Sequence, residues 1–297
     1  MKLIHTVGTM AAAAVLLVLS ACGSGSLGGD RPGSEEPSGA AVADQALFDR
    51  LPDSIKESKK VVIGTDASYA PNEFFADDGK TIQGADVDLF NAVAAKMGVE
   101  AEWQNANFDS IIIGVNSGTY DLGVSSSTIS PERMEQVNMI SYYRAGTQWV
   151  TPLDNPGDVD PDNVCGKTVA VQRATIQDTE DLPARQKKCG ADKITVLRFT
   201  GQNEATAAVI SGRADAMLAD SPVAQYAVKQ SGDKLELLGD AYDAAPYGYV
   251  APKDEIEFAE VLAEALTAIK ADGSYDQALA EWGIEDGGIS DFAVNPT

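Results

Sequence analysis

The chain is 297 residues long and carries 22 Lys and Arg against 45 Asp and Glu, a formal net charge of −23. That balance excludes nucleic-acid binding by bulk charge and fits the solvated acidic surface of an exported protein. The single His is His5, inside an N-terminal apolar segment, so an imidazole metal site has no ligands and no metal is expected.

Lys2 supplies a positive n-region, and residues 7–19 form an apolar stretch shorter than a membrane span needs. Residues 1–21 therefore read as a signal peptide. Leu19-Ser-Ala-Cys22 resembles a bacterial lipobox, in which cleavage before Cys22 leaves its thiol for a diacylglycerol. An ordinary secretory signal with an incidental Cys is the alternative. Two or more acyl chains make a stable membrane anchor where one is marginal. Residues 22–47 read as a lipidated flexible tether: the stretch to residue 44 is Gly, Ser, Pro and acid, with too few apolar side chains to offset chain entropy. About 250 residues remain, enough for one large α/β domain or two lobes.

Strands and helices then alternate. Residues 60–64 are a short buried-strand candidate. Val87, Phe90, Val93, Ala94 and Met97 recur at helical spacing over 86–97, and Gly98 ends that helix. Residues 100–103 are a second strand. Residues 108–116 are a second helix, with Ile111, Ile112 and Val115 on its apolar side, and 121–125 a third strand. This β-α-β-α-β order predicts a mostly parallel sheet. A similar order recurs: strand 168–171, helix 202–211, strand 215–219 and helix 222–230. Ser117-Gly-Thr-Tyr-Asp121 is echoed by Ser211-Gly-Arg-Ala-Asp215, a helix end followed by an Asp that opens a strand. Two lobes of similar build follow. The last part adds a strand at 247–251, a helix over 255–271 stopped by Gly273, and a short helix in which Trp282 packs. With Cys22 lipidated, Cys165 and Cys189 are an even pair in an exported chain. A disulfide closing their 25-residue loop would stabilise by roughly 3.5 kcal/mol on the chain-entropy model; two free thiols are the alternative.

The segment from Thr119 to Arg133 is the most informative. A strand runs into the hydroxyl-rich turn Ser125-Ser-Ser-Thr128, then a helix start with Ser130 as N-cap, Pro131 at the first position, Glu132 and Arg133. Backbone N–H groups, hydroxyls and a guanidinium gathered there suit a small carboxylate. An Arg in a helix's first turn is electrostatically disfavoured, which itself argues for a functional reason.

From Val61 to Ile284 the chain resembles the polar amino-acid-binding proteins of ABC importers, bacterial solute-binding family 3. The resemblance runs through Gly64-Thr-Asp-Ala-Ser-Tyr-Ala-Pro71, Gly84-Ala-Asp-Val-Asp-Leu89, Phe108-Asp109, Gly118-Thr-Tyr-Asp121, Ser125 to Arg133, Ala219-Asp-Ser-Pro222 and Lys270-Ala-Asp-Gly-Ser-Tyr275. It implies a type II periplasmic-binding-protein fold: two α/β lobes, each a mostly parallel sheet flanked by helices, joined by a two-strand hinge. Lobe 1 would be 57–146 plus 242–297, and lobe 2 147–241. On the same pattern Arg133 clamps a ligand α-carboxylate, aided by Ser125, Ser126 and Thr128, and Asp220 takes the α-ammonium. Tyr69 and Phe108 sandwich the ligand side chain, while Asp66 and Gln172 read its far end. The loop Val171 to Gln177 matches one usually written Gly-Thr-Thr; here Ala174 replaces the Gly, and backbone N–H groups of Thr175 or Ile176 would reach the carboxylate.

The function implied is capture of a polar amino acid for a membrane permease by a monomer, with no chemistry and no cofactor. Asp66 favours a donor-bearing side chain, Gln, Asn, Arg or Lys; Arg173 turned inward would instead invite Glu or Asp. Two rival readings fit the same residues. One is a cyclohexadienyl (arogenate or prephenate) dehydratase built on the same lobe pair, for which Glu73 is the available acid. The other is a ligand-sensing module.

Overall fold

The computed structural model describes residues 43–297. The expected signal segment, the lipidation site Cys22 and most of the tether lie outside them. Among the described residues no helix is long and apolar enough to cross a membrane.

In chain order the elements are α1 (Gln45–Asp49), α2 (Asp53–Ser58), β1 (Lys60–Thr65), β2 (Ser68–Tyr69), β3 (Glu73–Phe75), β4 (Ile82–Gln83), α3 (Ala85–Lys96) and β5 (Glu100–Asn105). A 3-10 turn at Phe108–Ser110 leads into α4 (Ile111–Asn116), β6 (Leu122–Gly123), α5 (Pro131–Gln136), β7 (Asn138–Pro152) and β8 (Thr168–Gln172). A π-helical turn at Gln177–Asp181 precedes α6 (Leu182–Lys188), β9 (Thr195–Phe199), α7 (Gln202–Ile210), β10 (Ala216–Asp220), α8 (Ser221–Gln230), β11 (Leu235–Ala251), α9 (Ile256–Ala271) and α10 (Ser274–Trp282). The tether expected to reach residue 47 is shortened. Asp44 caps α1 by accepting from the Ala46 N–H at 2.9 Å, and Leu47, Leu51 and Ile55 pack into the first core.

Eight strands form one sheet in the order β5-β1-β6-β11-β7-β10-β8-β9. The trios β5-β1-β6 and β10-β8-β9 are parallel, and β7 and β11 pair antiparallel between them. Each trio has its own core. One gathers Ile63, Phe90, Met97, Tyr142, Tyr249 and Leu262. On the other side Trp149, Val169 and Leu218 pack together beneath Cys189, and Val150, Ala205 and Met217 form a companion cluster. Cys165 and Cys189 are bonded, tying the segment before β8 to the end of α6.

Several elements begin for the reasons read from the sequence. Ser130 Oγ accepts from the Arg133 N–H at 3.3 Å, with Pro131 opening α5. Gly98 has φ +73, a helix-stopping conformation that suits glycine. Gly84 precedes α3 at φ +139, where a Cβ would stand 2.1 Å from the Asn72 carbonyl oxygen. The third strand is shorter than expected, Leu122–Gly123 only, because the chain turns at once into the hydroxyl-rich loop.

Candidate functional site

The β1–β2 loop, the 3-10 turn and the β6–α5 loop face the β8–α6 segment and the end of β10 across a cleft. The cavity between them is small and nearly closed, with about 10 Å³ of free space. It is lined by Asp66, Tyr69, Phe108, Ser125, Ser126 and Thr128 together with Arg133 on one side. Gln172, Thr175, Ile176, Gln177 and Asp220 line the other. All eleven residues read from the sequence as ligand-contacting are thus brought together, and Gln177 joins them. Gln177 lies inside the loop matched from sequence, but its side chain enters the cavity from the π-helical turn, which has no sequence signature.

Arg133 is buried. Its Nη1 donates to the Thr128 carbonyl at 2.7 Å and its Nη2 to the Ala174 carbonyl at 2.9 Å, so one guanidinium spans the cleft. Its charge lies 5.4 Å from the centroid of the Phe108 ring, within cation–π range. Burial lowers its pKa and the Asp220 charge opposes that, both marks of a cation held in a dry place.

Asp220 occupies the N-cap position of α8, as an Asp before Ser-Pro should, yet its side chain does not cap the helix. Instead Oδ2 accepts from the Tyr69 hydroxyl at 2.8 Å and Oδ1 from Gln177 Nε2 at 2.7 Å. Gln177 also donates to Thr147 Oγ1 at 3.0 Å, which ties this corner to β7. Burial raises the Asp220 pKa, while hydroxyl donors, Gln177 and the Arg133 charge pull the other way.

Asp66 Oδ2 accepts from the Phe108 N–H and from Gln172 Nε2, each at 2.9 Å; the second bond crosses the cleft. Burial raises its pKa as well. Arg173 does not turn inward. It pairs with Asp109 Oδ2 at 2.7 Å, with both side chains partly exposed at the cleft mouth. Ala174, standing where the matched loop has Gly, takes the left-handed conformation at φ +64, which costs strain in a residue with a Cβ.

Ser125 and Ser126 line the cavity but direct their hydroxyls downward, to Glu73 Oε1 at 3.0 Å and Glu73 Oε2 at 3.2 Å. Glu73, the acid a cleft dehydratase would use, is fully buried beneath them and does not line the cavity. No cluster of three or more potential metal ligands occurs among the described residues.

Two parallel-stranded halves with a closed, charged cleft between them have the architecture of a solute-binding protein. The family model for bacterial extracellular solute-binding proteins, family 3, matches residues 61–285, and the chain belongs to that family. The arginine-binding protein ArgT of Corynebacterium glutamicum is 37% identical over 248 residues, covering 82% of this chain and 81% of that protein. Among solved structures, an ancestral arginine-binding protein bound to arginine superposes with a TM-score of 0.71 at 31% identity, covering 75% of this chain and 98% of that one. The ancestral amino acid-binding protein AncCDT-1, a precursor of cyclohexadienyl dehydratase, gives a TM-score of 0.70 at 31% identity, covering 77% of this chain and 98% of that one.

Proposed function

We propose that this protein captures an L-amino acid with a cationic side chain, arginine foremost, outside the cell membrane and delivers it to an ABC importer. The charge balance of the cleft carries the reading. One buried cation, Arg133, faces two buried acids, Asp66 and Asp220, in the same cavity. A zwitterion consumes Arg133 and one acid; the remaining acid calls for one further positive charge on the ligand. Aromatic faces at Tyr69 and Phe108 suit a planar guanidinium. The names of ArgT and of the ancestral arginine-bound protein support the same choice.

Arg133 takes the α-carboxylate in two parallel hydrogen bonds and Asp220 the α-ammonium, with Thr128, Thr175 and Ile176 completing the cradle. Residues 57–146 plus 242–297 act as one lobe and 147–241 as the other, and ligand contacts to both favour the closed form. Low-micromolar affinity corresponds to about −8 kcal/mol. The chain works as a monomer, tethered through a lipid on Cys22; mass spectrometry of membrane-extracted protein finding an unmodified Cys22 would refute the anchor.

A thermal-shift screen over the twenty amino acids, followed by calorimetry, tests the ligand. Arginine should give the largest stabilisation, with lysine next. A larger shift with glutamate or with an uncharged amino acid overturns the cationic assignment.

A further inference from the structure

Beneath the cavity lies a polar cluster whose two acids, Glu73 and Asp86, do not line it. Glu73 and Asp86 are both buried, at 0% and 4% exposure, from β3 and the first turn of α3. Their carboxyls face one another across the Ser126 side chain. Ser126 Oγ lies 3.2 Å from Glu73 Oε2 and 3.2 Å from Asp86 Oδ2, and it accepts from Asn72 Nδ2 at 2.8 Å. A hydroxyl has one proton to give, so it satisfies one of the two acids and not both.

The remaining donors are divided unequally. Asp86 Oδ2 also accepts from the Ser126 N–H at 3.0 Å and from the Tyr142 hydroxyl at 2.5 Å. Glu73 has the Ser125 hydroxyl, which can donate because its oxygen accepts from the Asp66 N–H at 3.0 Å. The titratable groups facing the pair are Asp66 and Tyr69 from the β1–β3 segment, Tyr142 and Tyr143 from β7, and Tyr249 from β11. None is a cation. Two buried carboxylates with no counter-charge cannot both be ionised. Burial and the neighbouring Asp86 charge push the Glu73 carboxyl well above its usual range, in agreement with the donor count.

Ser126 is also the one cavity-lining residue of the β6–α5 turn held at positive φ, +49. A non-glycine residue stays there only when its surroundings fix it. Here the fixing group is Asp86, which takes the Ser126 N–H.

We propose that Glu73 and Asp86 form a proton-sharing pair, Glu73 protonated and Asp86 ionised, that holds Ser126 in its left-handed conformation and so positions the turn that receives the ligand carboxylate. The pair never touches ligand; Glu73 and Asp86 are positioning residues. The inference rests on the proposed amino-acid site for its binding readout and on the protein alone for its proton readout.

The proton is read without any ligand. Infrared spectroscopy of the full chain at neutral pH should show the carbonyl band of a protonated, buried carboxylic acid, missing from Glu73→Gln. A raised carboxyl pKa stabilises the fold less as pH climbs past the ordinary glutamate value, so wild-type melting temperature should fall across that window and Glu73→Gln should fall less. Absence of the band in wild type overturns the proposal whatever the protein binds. Positioning is read by calorimetry with L-arginine. Asp86→Ala should weaken binding by on the order of tenfold or more, and Ser126→Gly in that background should restore most of it, because glycine adopts positive φ unaided. Glu73→Gln, which keeps a donor and an acceptor in the same shape, should stay within about threefold of wild type, and Glu73→Ala should not. Failure of Ser126→Gly to rescue a folded Asp86→Ala variant overturns the positioning role. Failure of wild type to bind any amino acid instead overturns the proposed function and leaves the proton readout to decide this one.

Discussion

Tyr69 and Asp220 clasp one another across the cleft: the Tyr69 hydroxyl donates to Asp220 Oδ2 at 2.8 Å and lies 3.3 Å from the Asp220 N–H, from which it accepts. Residues 151 positions apart are thereby joined at the corner assigned to the ligand's ammonium group. The carboxylate is pre-aligned by donors on both sides, and an ammonium arriving there meets an acceptor that needs no reorientation.

Asp220→Asn removes that charge while keeping the shape. Arginine affinity should drop by on the order of 100-fold, about 3 kcal/mol, as expected when one partner of a buried charged pair is lost. Calorimetry against the des-amino analogue supplies the control: wild type should reject it, and equal binding of the analogue would remove the ammonium role from Asp220.

Acid should also weaken binding. Burial raises the Asp220 carboxyl, so it takes up a proton at a higher pH than an exposed Asp does. An ammonium requires the ionised form. Binding in mildly acidic buffer should therefore release a proton, and affinity should fall by up to about tenfold per pH unit below the Asp220 titration. Calorimetry in buffers of differing ionisation enthalpy counts that proton; uptake instead of release would contradict the sign.

Arg133→Ala leaves the Thr128 and Ala174 carbonyls without their donor as well as removing the clamp. A loss of about 3 kcal/mol or more in arginine binding is expected, with circular dichroism little changed. Arg133→Lys should recover only part, since an ammonium cannot make two parallel bonds to a carboxylate. Wild-type affinity in the Ala variant would dismiss the clamp.

The Arg173–Asp109 pair closes the cleft mouth, but its side chains are 42% and 33% exposed, so solvent screens it. Its contribution should be under about 1 kcal/mol. Asp109→Asn should weaken arginine binding no more than about fivefold and flatten the salt dependence of the affinity. A larger loss would mean that Asp109 touches ligand.

Ala174→Gly should stabilise the protein by about 1 kcal/mol, because the residue sits at φ +64, where a Cβ is strained. Urea unfolding measures it, and an unchanged or lower midpoint would mean that the strain is relieved elsewhere.

The parallel trios were legible because β1, β8 and β10 are short apolar runs with turns at both ends. The sequence left β7 unassigned for a physical reason. Fourteen of the positions in Asn138–Pro152 are half-buried or buried, on both faces, and such a strand loses the period-two alternation that marks it. Helix α4 shows a related ambiguity: Ile111, Ile112 and Ile113 look alike in sequence, yet Ile111 is buried and Ile113 is 67% exposed. The cavity-lining set was legible through Arg133, whose placement in a first turn contradicts simple electrostatics, and through short motifs around Asp66, Ser125 and Asp220. Gln177 was not, since a lone Gln carries no pattern, and neither was the Glu73–Asp86 pair, because nothing in local sequence brings β3 and α3 beneath Ser126.

The β7–β11 ladder has one more consequence. It shifts register three times, between Leu238 and Tyr242, between Tyr242 and Ala245, and between Tyr247 and Gly248; the first two shifts flank Tyr242. Bending elsewhere would break paired backbone groups, whereas that stretch has fewer to lose. Mechanical compliance is therefore concentrated beside Tyr242, and amide exchange there should outpace exchange in either flank of the same two strands.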